Sequence, residues 1–466
     1  GKYIECEKEV SSWDLKPESN DLIDRFGSMA DRIFSSDLSR LDRKVYYGDL
    51  LPKHGPGATA DKLYGNAKFT QSVWTHRLEE YFPSVDFIVP NAGYFSNLES
   101  IDFLEPGAEL PVKVITVPKT LKTPRIIAIE PACMQYAQQS ILIPLVEQLE
   151  RSSYLANSLG FTDQVPNQNM AREGSLGMGL ATLDMSDASD RVSYRLVSRI
   201  LENFPSLKGA VDACRSRTAD VPGHGLQSLS KFASMGSALC FPFEAMVFLT
   251  IVLLGIEDEL STTLSVSSVR KILKKVRIYG DDIIIPVEYV RSVVSCLQLF
   301  GMKVNTNKSF WTGKFRESCG KDYYDGIDVS VTYCRRLFPS HRSDAPEMIS
   351  AVSMRNAFYK AGLWITADYL DQYCKGVAPL PTVLETSPVV GRHSYLGYET
   401  QKLCEQLHRP LVKGIVVTSR SRKSKLDCSG ALLKFFLKRG SEPYFDPKHL
   451  ERYGRPESVD TKIRWA

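Results

Sequence analysis

Little in this chain would mark a secreted, metal-stapled or repetitive protein. Its ten cysteines are scattered from Cys6 to Cys428 without one C-x-x-C pair, and none of its seven histidines joins them at zinc spacing. That excludes a zinc ribbon and a dithiol redox motif, and predicts reduced, buried thiols of the cytosolic kind. Charge of one sign is missing too: 58 basic residues against 54 acidic ones leave a net +4. The molecule as a whole is no polybasic binder, so any nucleic-acid surface must come from local clustering. No internal repeat or low-complexity tract is present. The first residues carry no apolar run of signal-peptide type, and Glu5 stands where a myristoylation motif needs Ser or Thr. Uninterrupted apolar stretches are scarce as well. Residues 238–256 come nearest to a membrane span, but Pro242 and Glu244 break them. About a dozen apolar residues remain after Glu244, short of the roughly 20 a span needs. A buried core helix is expected there, and no membrane partner.

What is present describes a folded protein of two or three domains or subdomains. The chain has 466 residues, 43% apolar and 24% charged. Residues 1–179 mix short helical patterns with loops rich in proline and glycine, including His54-Gly55-Pro56-Gly57-Ala58-Thr59. The alternation Val112-Lys113-Val114-Ile115-Thr116-Val117 predicts a strand. A basic loop, Pro118 through Arg125, separates it from a second strand, Ile126-Ile127-Ala128-Ile129. Beyond residue 180 the pattern is more regular. A strand ends in Asp184. Ser189 or Asp190 caps a helix over 194–203, and a long helix covers 235–254. A hairpin follows at 276–287, then a helix from about residue 288 to Phe300 with Gly301 at its C′ position. A strand Met302-Lys303-Val304-Asn305 closes the series. With one helix set aside, the order is that of a split βαβ, ferredoxin-like unit. From about 340 onward the pattern predicts mainly helix. Positive charge gathers near the end at Arg420, Arg422, Lys423, Lys425, Lys434, Lys438 and Arg439, as a solvated face or an RNA contact.

The chemistry is concentrated in Tyr279-Gly280-Asp281-Asp282. Apolar residues flank it, so the two carboxylates sit at a tight turn between strands. For a lone Gly-Asp-Asp, an ordinary exposed hairpin turn is the commoner reading. In a partly buried place, however, adjacent carboxylates repel each other and call for a cation. The second acidic cluster is Asp184-Met185-Ser186-Asp187-Ala188-Ser189-Asp190. Asp184 ends a strand, which puts its carboxylate at a sheet edge. Asp187 reads as a helix cap, and Asp190 as a cap or a residue facing the site. Carboxylates on separate strands can hold two Mg²⁺ ions about 3.5–4 Å apart. Lys119, Lys122 and Arg125 are spaced to project from one loop toward a triphosphate. Lys308 is a candidate general acid for a departing pyrophosphate, or a plain surface lysine.

These pieces occur in one order across residues 54–320: His54 to Thr59, the loop ending Pro124-Arg125-Ile126-Ile127, Thr182 to Asp190, Ser234-Met235-Gly236, Tyr279 to Asp282, Asn305-Thr306-Asn307-Lys308, and Phe315-Arg316-Glu317-Ser318-Cys319-Gly320. As an ordered set they resemble the catalytic subunit of the RNA-directed RNA polymerases of positive-strand RNA bacteriophages, the levivirus replicase β-subunit family. The resemblance implies an α+β fold: a right-hand, fingers–palm–thumb polymerase with a ferredoxin-like palm. Residues 1–179 would supply fingers and the N-terminal region. Residues 180–340 would form the palm, with a fingers insertion at about 206–227. Residues 341–466 would form the thumb and a C-terminal helical region.

The same resemblance implies the roles. Asp184 and Asp281 would be the principal metal ligands with Asp282 assisting, for two Mg²⁺ or for Mn²⁺. Lys119, Lys122 and Arg125 would hold the triphosphate. Asp190 and Ser234 would sense the ribose 2′-hydroxyl, and Gly236 would allow close approach of a backbone loop to the template–nucleotide pair. Residues 315–320 would lie near the growing RNA end. Template and product RNA and NTPs are the implied partners, in a bacterial host's cytoplasm. Host elongation factors Tu and Ts and a ribosomal protein join them in this family, though no segment guarantees their docking. The chain is shorter than the family's subunits and begins without Met. A reverse transcriptase shares the Tyr-x-Asp-Asp hairpin and an upstream Asp, but it places a bulky side chain where polar Asp190 stands. A non-catalytic RNA-binding protein on a polymerase fold is the other alternative, against which the intact acidic set argues.

Overall fold

The structure is a computed structural model that describes residues 1–119, 121, 124–421, 426–437 and 456–466. Two compact units emerge from it. One comprises residues 1–115, 126–330 and 425–441, the other residues 116–125, 331–424 and 442–466. Lys122 and most of the basic residues near the end lie outside the described residues.

The first unit is assembled from α1 (Lys2–Asp14), α2 (Glu18–Tyr46), β1 (Val112–Val117), β2 (Arg125–Ile129), α3 (Ala132–Glu150), β3 (Leu180–Asp184), β4 (Thr218–Val221), β5 (Gly225–Ser228), α4 (Cys240–Glu259), β6 (Arg277–Tyr279), β7 (Asp282–Pro286), α5 (Val290–Leu299), β8 (Phe315–Ser318) and β9 (Lys321–Tyr324). Helix α2 illustrates the logic of its long members. Ile23, Phe26, Ala30, Ile33, Phe34, Leu38, Leu41 and Val45 recur every three or four residues and are buried. Glu18 and Asp21 sit in its first turn, Arg43 and Lys44 in its last, as the helix dipole favours. Helix α4 is different: it is buried on all sides from Phe243 to Ile256. It is the one helix among the described residues long and apolar enough to cross a membrane by length and composition, and 89% of that apolar window is buried in the core.

The predicted strands at 112–117 and 126–129 are β1 and β2, adjacent in a four-stranded sheet of order β2-β1-β4-β5. Segment 206–227 thus contributes β4, which pairs in parallel with β1. The second sheet is antiparallel with order β3-β7-β6, so β7 lies between β3 and β6. Ile283, Ile284 and Ile285 of β7 are fully buried, so this strand is covered on both faces and shows no alternation. Helices α4 and α5 cross closely, because a β-carbon on Gly255 would come within 2.6 Å of Val293 Cα. On the free edge of β3, Thr182 exchanges backbone hydrogen bonds with Phe310 at 2.9 and 2.7 Å, and Asn305 N–H donates to Asp184 O at 2.8 Å. Residues 303–310 therefore take the place of a fourth strand. Counted along the chain, the spatial order is four-one-three-two, the ferredoxin-like arrangement.

Several local expectations need correction. The strand expected at 302–305 is a single bridge at Val304, because the chain must turn again at 306–308. The helix expected from 235 begins at Cys240, since Gly236 holds φ +133°, which no helix accommodates. The helix expected at 194–203 is Tyr194–Ile200, and its cap is Ser193, whose Oγ accepts from Arg195 N–H at 3.0 Å. Gly301, by contrast, takes φ +76° directly after α5 and its cap Phe300, as expected.

Among its described residues the second unit is not mainly helical. Two helices, Ala345–Lys360 and Trp364–Val377, are joined by a buried Arg355–Asp371 ion pair at 2.7 Å. After them the chain turns to strands, and Val389–Val390, Lys413–Ser421 and Pro456–Trp465 form a three-stranded sheet. The β-branched run Ile415-Val416-Val417-Thr418 is the local reason.

Candidate active site

Strand pairing brings the acids together. In the β3–β7 ladder Asp184 stands directly opposite Asp282. Residues so placed share a sheet face, with β-carbons about 5 Å apart. Asp282 also pairs with Tyr279 across the β6–β7 hairpin, so Gly280 and Asp281 are its two-residue turn. Gly280 takes φ +60° at the first central position, which suits a type II′ turn. A β-carbon there would also strike Phe241 of α4, at 2.2 Å. Phe241 in turn packs edge-on against Tyr279. The first turn of α4 thereby fixes the hairpin tip, and Asp281 is left exposed.

Specific donors hold two of the acids. Asn305 Nδ2 donates to Asp184 Oδ2 at 2.7 Å, and Cys319 N–H donates to Asp282 Oδ2 at 3.1 Å. Cys319 and Gly320 both adopt positive φ, 49° and 73°, and turn β8 into β9. Segment 315–320 is thus a hairpin whose tip braces Asp282. Burial pushes the Asp184 carboxyl up to about 6; Asn305 pulls it down, the Asp281 charge raises it further, and Lys308 lowers it. Burial, then the Asp281 charge, pushes Asp282 up to about 7, with Cys319 opposing and Asp184 adding. Lys308 Nζ lies 3.5 Å from Glu317 Oε1 and is half-exposed. A further acid escaped sequence reasoning: Glu244 of α4 is buried and held well above the usual carboxylate range, first by burial, then by Asp281 and Asp190. The signal was there, since Glu244 is an acid within an otherwise apolar helix. Asn305 likewise stood in the Asn-Thr-Asn-Lys run without an assigned role.

Repulsion of the half-buried Asp184 and Asp282 by the exposed Asp281 is the electrostatic condition that a bound divalent cation relieves, and carboxylate oxygens are the donors hard cations prefer. The donor set therefore fits. Among the described residues, no three His, Cys, Asp or Glu side chains are drawn into a ready coordination cluster.

The other expected site residues are distributed as follows. Asp190 is not an open carboxylate: Lys231 Nζ, fully buried, lies 2.9 Å from its Oδ1. Asp187 precedes the short helix Ala188–Arg191 as expected, but its carboxylate pairs with Lys2 at 2.7 Å and makes no cap hydrogen bond. Ser234 is buried and its Oγ donates to Tyr3 Oη at 3.2 Å. Gly236 does allow a close approach, and the approach seen is to β2: an added β-carbon would lie 1.9 Å from Ala128 O. Ala128 N–H donates to Met235 O at 2.9 Å, and Gln138 Oε1 accepts from Ser237 Oγ and Ala238 N–H at 3.1 and 3.0 Å. Lys119 and Arg125 are exposed and belong to the second unit, while Lys122 lies outside the described residues. His54 is a packing residue, stacked on Tyr136 at 4.0 Å, with burial lowering its pKa to about 3.

Comparison with known proteins finds the following similarities. The family model described as RNA replicase, beta-chain matches residues 109–365. The RNA-directed RNA polymerase subunit beta of Escherichia virus Qbeta is 30% identical over 324 residues, covering 67% of this chain and 50% of that protein. The RNA-directed RNA polymerase beta chain of Escherichia phage MS2 is 35% identical over 223 residues, covering 48% and 37%. A solved structure of the BmCPV RNA-dependent RNA polymerase at its elongation state overlaps 71% of this chain and 31% of its own, at 12% identity and a TM-score of 0.43. The chain spans half or less of the length of these curated relatives. With more than half of its residues matched by one family model and its acids arranged on the sheet in the motif order, this chain belongs to the RNA replicase beta-chain family.

Proposed function

We propose that this chain is an RNA-directed RNA polymerase that replicates a single-stranded, positive-sense viral RNA genome. The observation that carries the reading is the pairing of Asp184 with Asp282 beside the exposed Asp281 at the hairpin tip. Residues 1–179 serve as fingers and N-terminal region, 180–340 as palm and 341–466 as thumb and C-terminal region. Asp184 and Asp281 hold the metal ions, with Asp282 assisting. Two bound Mg²⁺, or Mn²⁺, supply acidification of the attacking hydroxyl and charge stabilisation of the leaving group.

The chain's own residues do the rest. Asn305 Nδ2 and the Cys319 N–H each hold one oxygen of Asp184 and Asp282, and the other oxygen of each serves as a metal donor. The RNA 3′-oxygen attacks the α-phosphorus of the NTP, the bond to the β-phosphate oxygen breaks, and pyrophosphate leaves. Lys308 donates the proton that pyrophosphate takes up; its influence on Asp184 supports a position beside the acids. Lys119, Lys122 and Arg125 neutralise the triphosphate. Asp190 and Ser234 read the ribose 2′-hydroxyl. Template and product RNA and NTPs are the partners, with host elongation factors Tu and Ts and a ribosomal protein as additional subunits in a bacterial cytoplasm.

The test is synthesis from a short RNA template, with and without primer, using the chain alone and then with bacterial lysate. Labelled NTPs should enter RNA complementary to the template. Preferential incorporation of dNTPs would favour a reverse transcriptase, and no incorporation under any condition would remove the enzymatic reading.

A further inference from the structure

Lys231 sits at a junction that the polymerase reading leaves without a role. Its side chain is fully buried. A buried ammonium is tolerated only when paired, and here three groups share it. Asp190 Oδ1 lies 2.9 Å from Nζ, Glu7 Oε2 lies 3.8 Å away, and the Tyr3 ring centroid lies 3.3 Å below it. An ammonium over a tyrosine face is an attractive cation–π contact, stronger when desolvated. Glu7 Oε2 is buried without a hydrogen-bond partner, so its charge is directed at Lys231. Glu7 Oε1 accepts from Ser230 N–H, which ties α1 to the backbone next to the lysine. Tyr3 carries a second link, because its Oη accepts from Ser234 Oγ at 3.2 Å.

Both residues read as ribose sensors are therefore fixed by the same helix. Asp190 is held through Lys231, and Ser234 through Tyr3. Helix α1 is itself anchored along its length. Lys2 pairs with Asp187 at 2.7 Å, Asp14 Oδ1 accepts from Ser193 Oγ at 2.6 Å, and Trp13 Nε1 donates to Leu299 O at 2.8 Å. These anchors bracket Asp190 on both sides in the chain. Lys231 uses one oxygen of Asp190, and among the described residues Oδ2 has no hydrogen-bond or ion-pair partner, so it is the oxygen left to accept from a 2′-hydroxyl.

We infer that Lys231, clamped by Tyr3 and Glu7 of α1, is a positioning residue that sets discrimination between ribo- and deoxyribonucleotides. The inference rests on the polymerase reading and on Asp190 and Ser234 as its ribose sensors. Without the lysine, Asp190 loses the partner that both orients it and compensates its charge. The 2′-hydroxyl then loses its aligned acceptor, whereas a nucleotide lacking that hydroxyl loses nothing.

The experiment is single-nucleotide addition of UTP and dUTP by the full chain on an RNA primer–template with adenine as the templating base. Lys231→Met should lower kcat/KM for UTP about tenfold, the loss of about one aligned hydrogen bond, and leave dUTP nearly unchanged. Lys231→Arg should restore part of the preference. Tyr3→Phe, which removes one hydroxyl and keeps the ring, should lower the preference about threefold and keeps the idea testable if Lys231→Met does not fold. Equilibrium binding of UTP and dUTP in the presence of template reads the same preference without turnover. Equal losses for UTP and dUTP, or an unchanged preference in both Lys231→Met and Tyr3→Phe, would overturn the inference. An unmodified chain that binds UTP over dUTP but incorporates neither would instead overturn the polymerase reading, while the variants' binding preference still decides the role of Lys231.

Discussion

Two acidic places in the first unit use the same residue type in opposite ways. At the sheet tip, Asp184 and Asp282 face each other across a ladder, and burial, with the Asp281 charge adding to it, lifts them to about 6 and about 7. Against α1, Asp190 meets a fully buried lysine at 2.9 Å. The first set is electrostatically incomplete, and in the proposed function a divalent cation would complete it. The second is completed within the chain. A carboxylate's role is thus decided by whether the fold supplies its counter-charge.

Removing an acid from the incomplete set should cost activity and spare the fold. Asp281→Asn is expected to reduce elongation by about a thousandfold or more, comparable to losing a principal stabiliser of transition-state charge. Unchanged synthesis would strip Asp281 of its metal role and erase the contrast. Lys308→Leu comes next, with elongation slowed about a hundredfold and nucleotide affinity nearly constant, as for loss of a general acid. A loss confined to affinity would make Lys308 a charge screen.

Stability should separate the two places further. Asp190→Asn leaves Lys231 buried with only Glu7 and a ring, and is expected to destabilise the protein by about 2 kcal/mol. Asp184→Asn relieves repulsion and should leave the thermal midpoint unchanged or raised. Denaturant melts of the pair measure this, and equal destabilisation would collapse the distinction.

The smallest effect is in pH. The folded pKa values of Asp184 and Asp282 are raised, so the folded state holds more protons than the unfolded one between about pH 4 and 7. Stability of the metal-free protein should therefore fall as pH rises through that window. Asp282→Asn, or added Mg²⁺ at pH 7, should flatten or offset the fall. A midpoint rising across the window would show that these carboxyls are not repelled in the folded protein.

Much of the sheet tip was legible in the chain because it is local. A glycine with two acids between apolar runs makes a hairpin wherever it is placed, and Asp184 at the end of an apolar run makes a strand terminus. The failures share a cause. Segment 302–305 looked like a strand, but the turn at 306–308 reduced it to a bridge. The start of α4 was displaced past Gly236, which holds φ +133° where Ala128 O packs against it. The helical expectation beyond 340 overlooked β-branched runs that pair across a separation from 413 to 465.

By itself the sequence determined the ordered motifs, the hairpin with its paired acids, the buried apolar helix and hence the family, because each depends on neighbours within a turn or a strand. The tertiary structure alone decided that Asp184 faces Asp282, that Asn305 and Cys319 hold them, and that Lys231 takes Asp190 with help from Tyr3 and Glu7. Those contacts join residues far apart in the chain, and charges act through space at a strength set by burial, which no local pattern encodes.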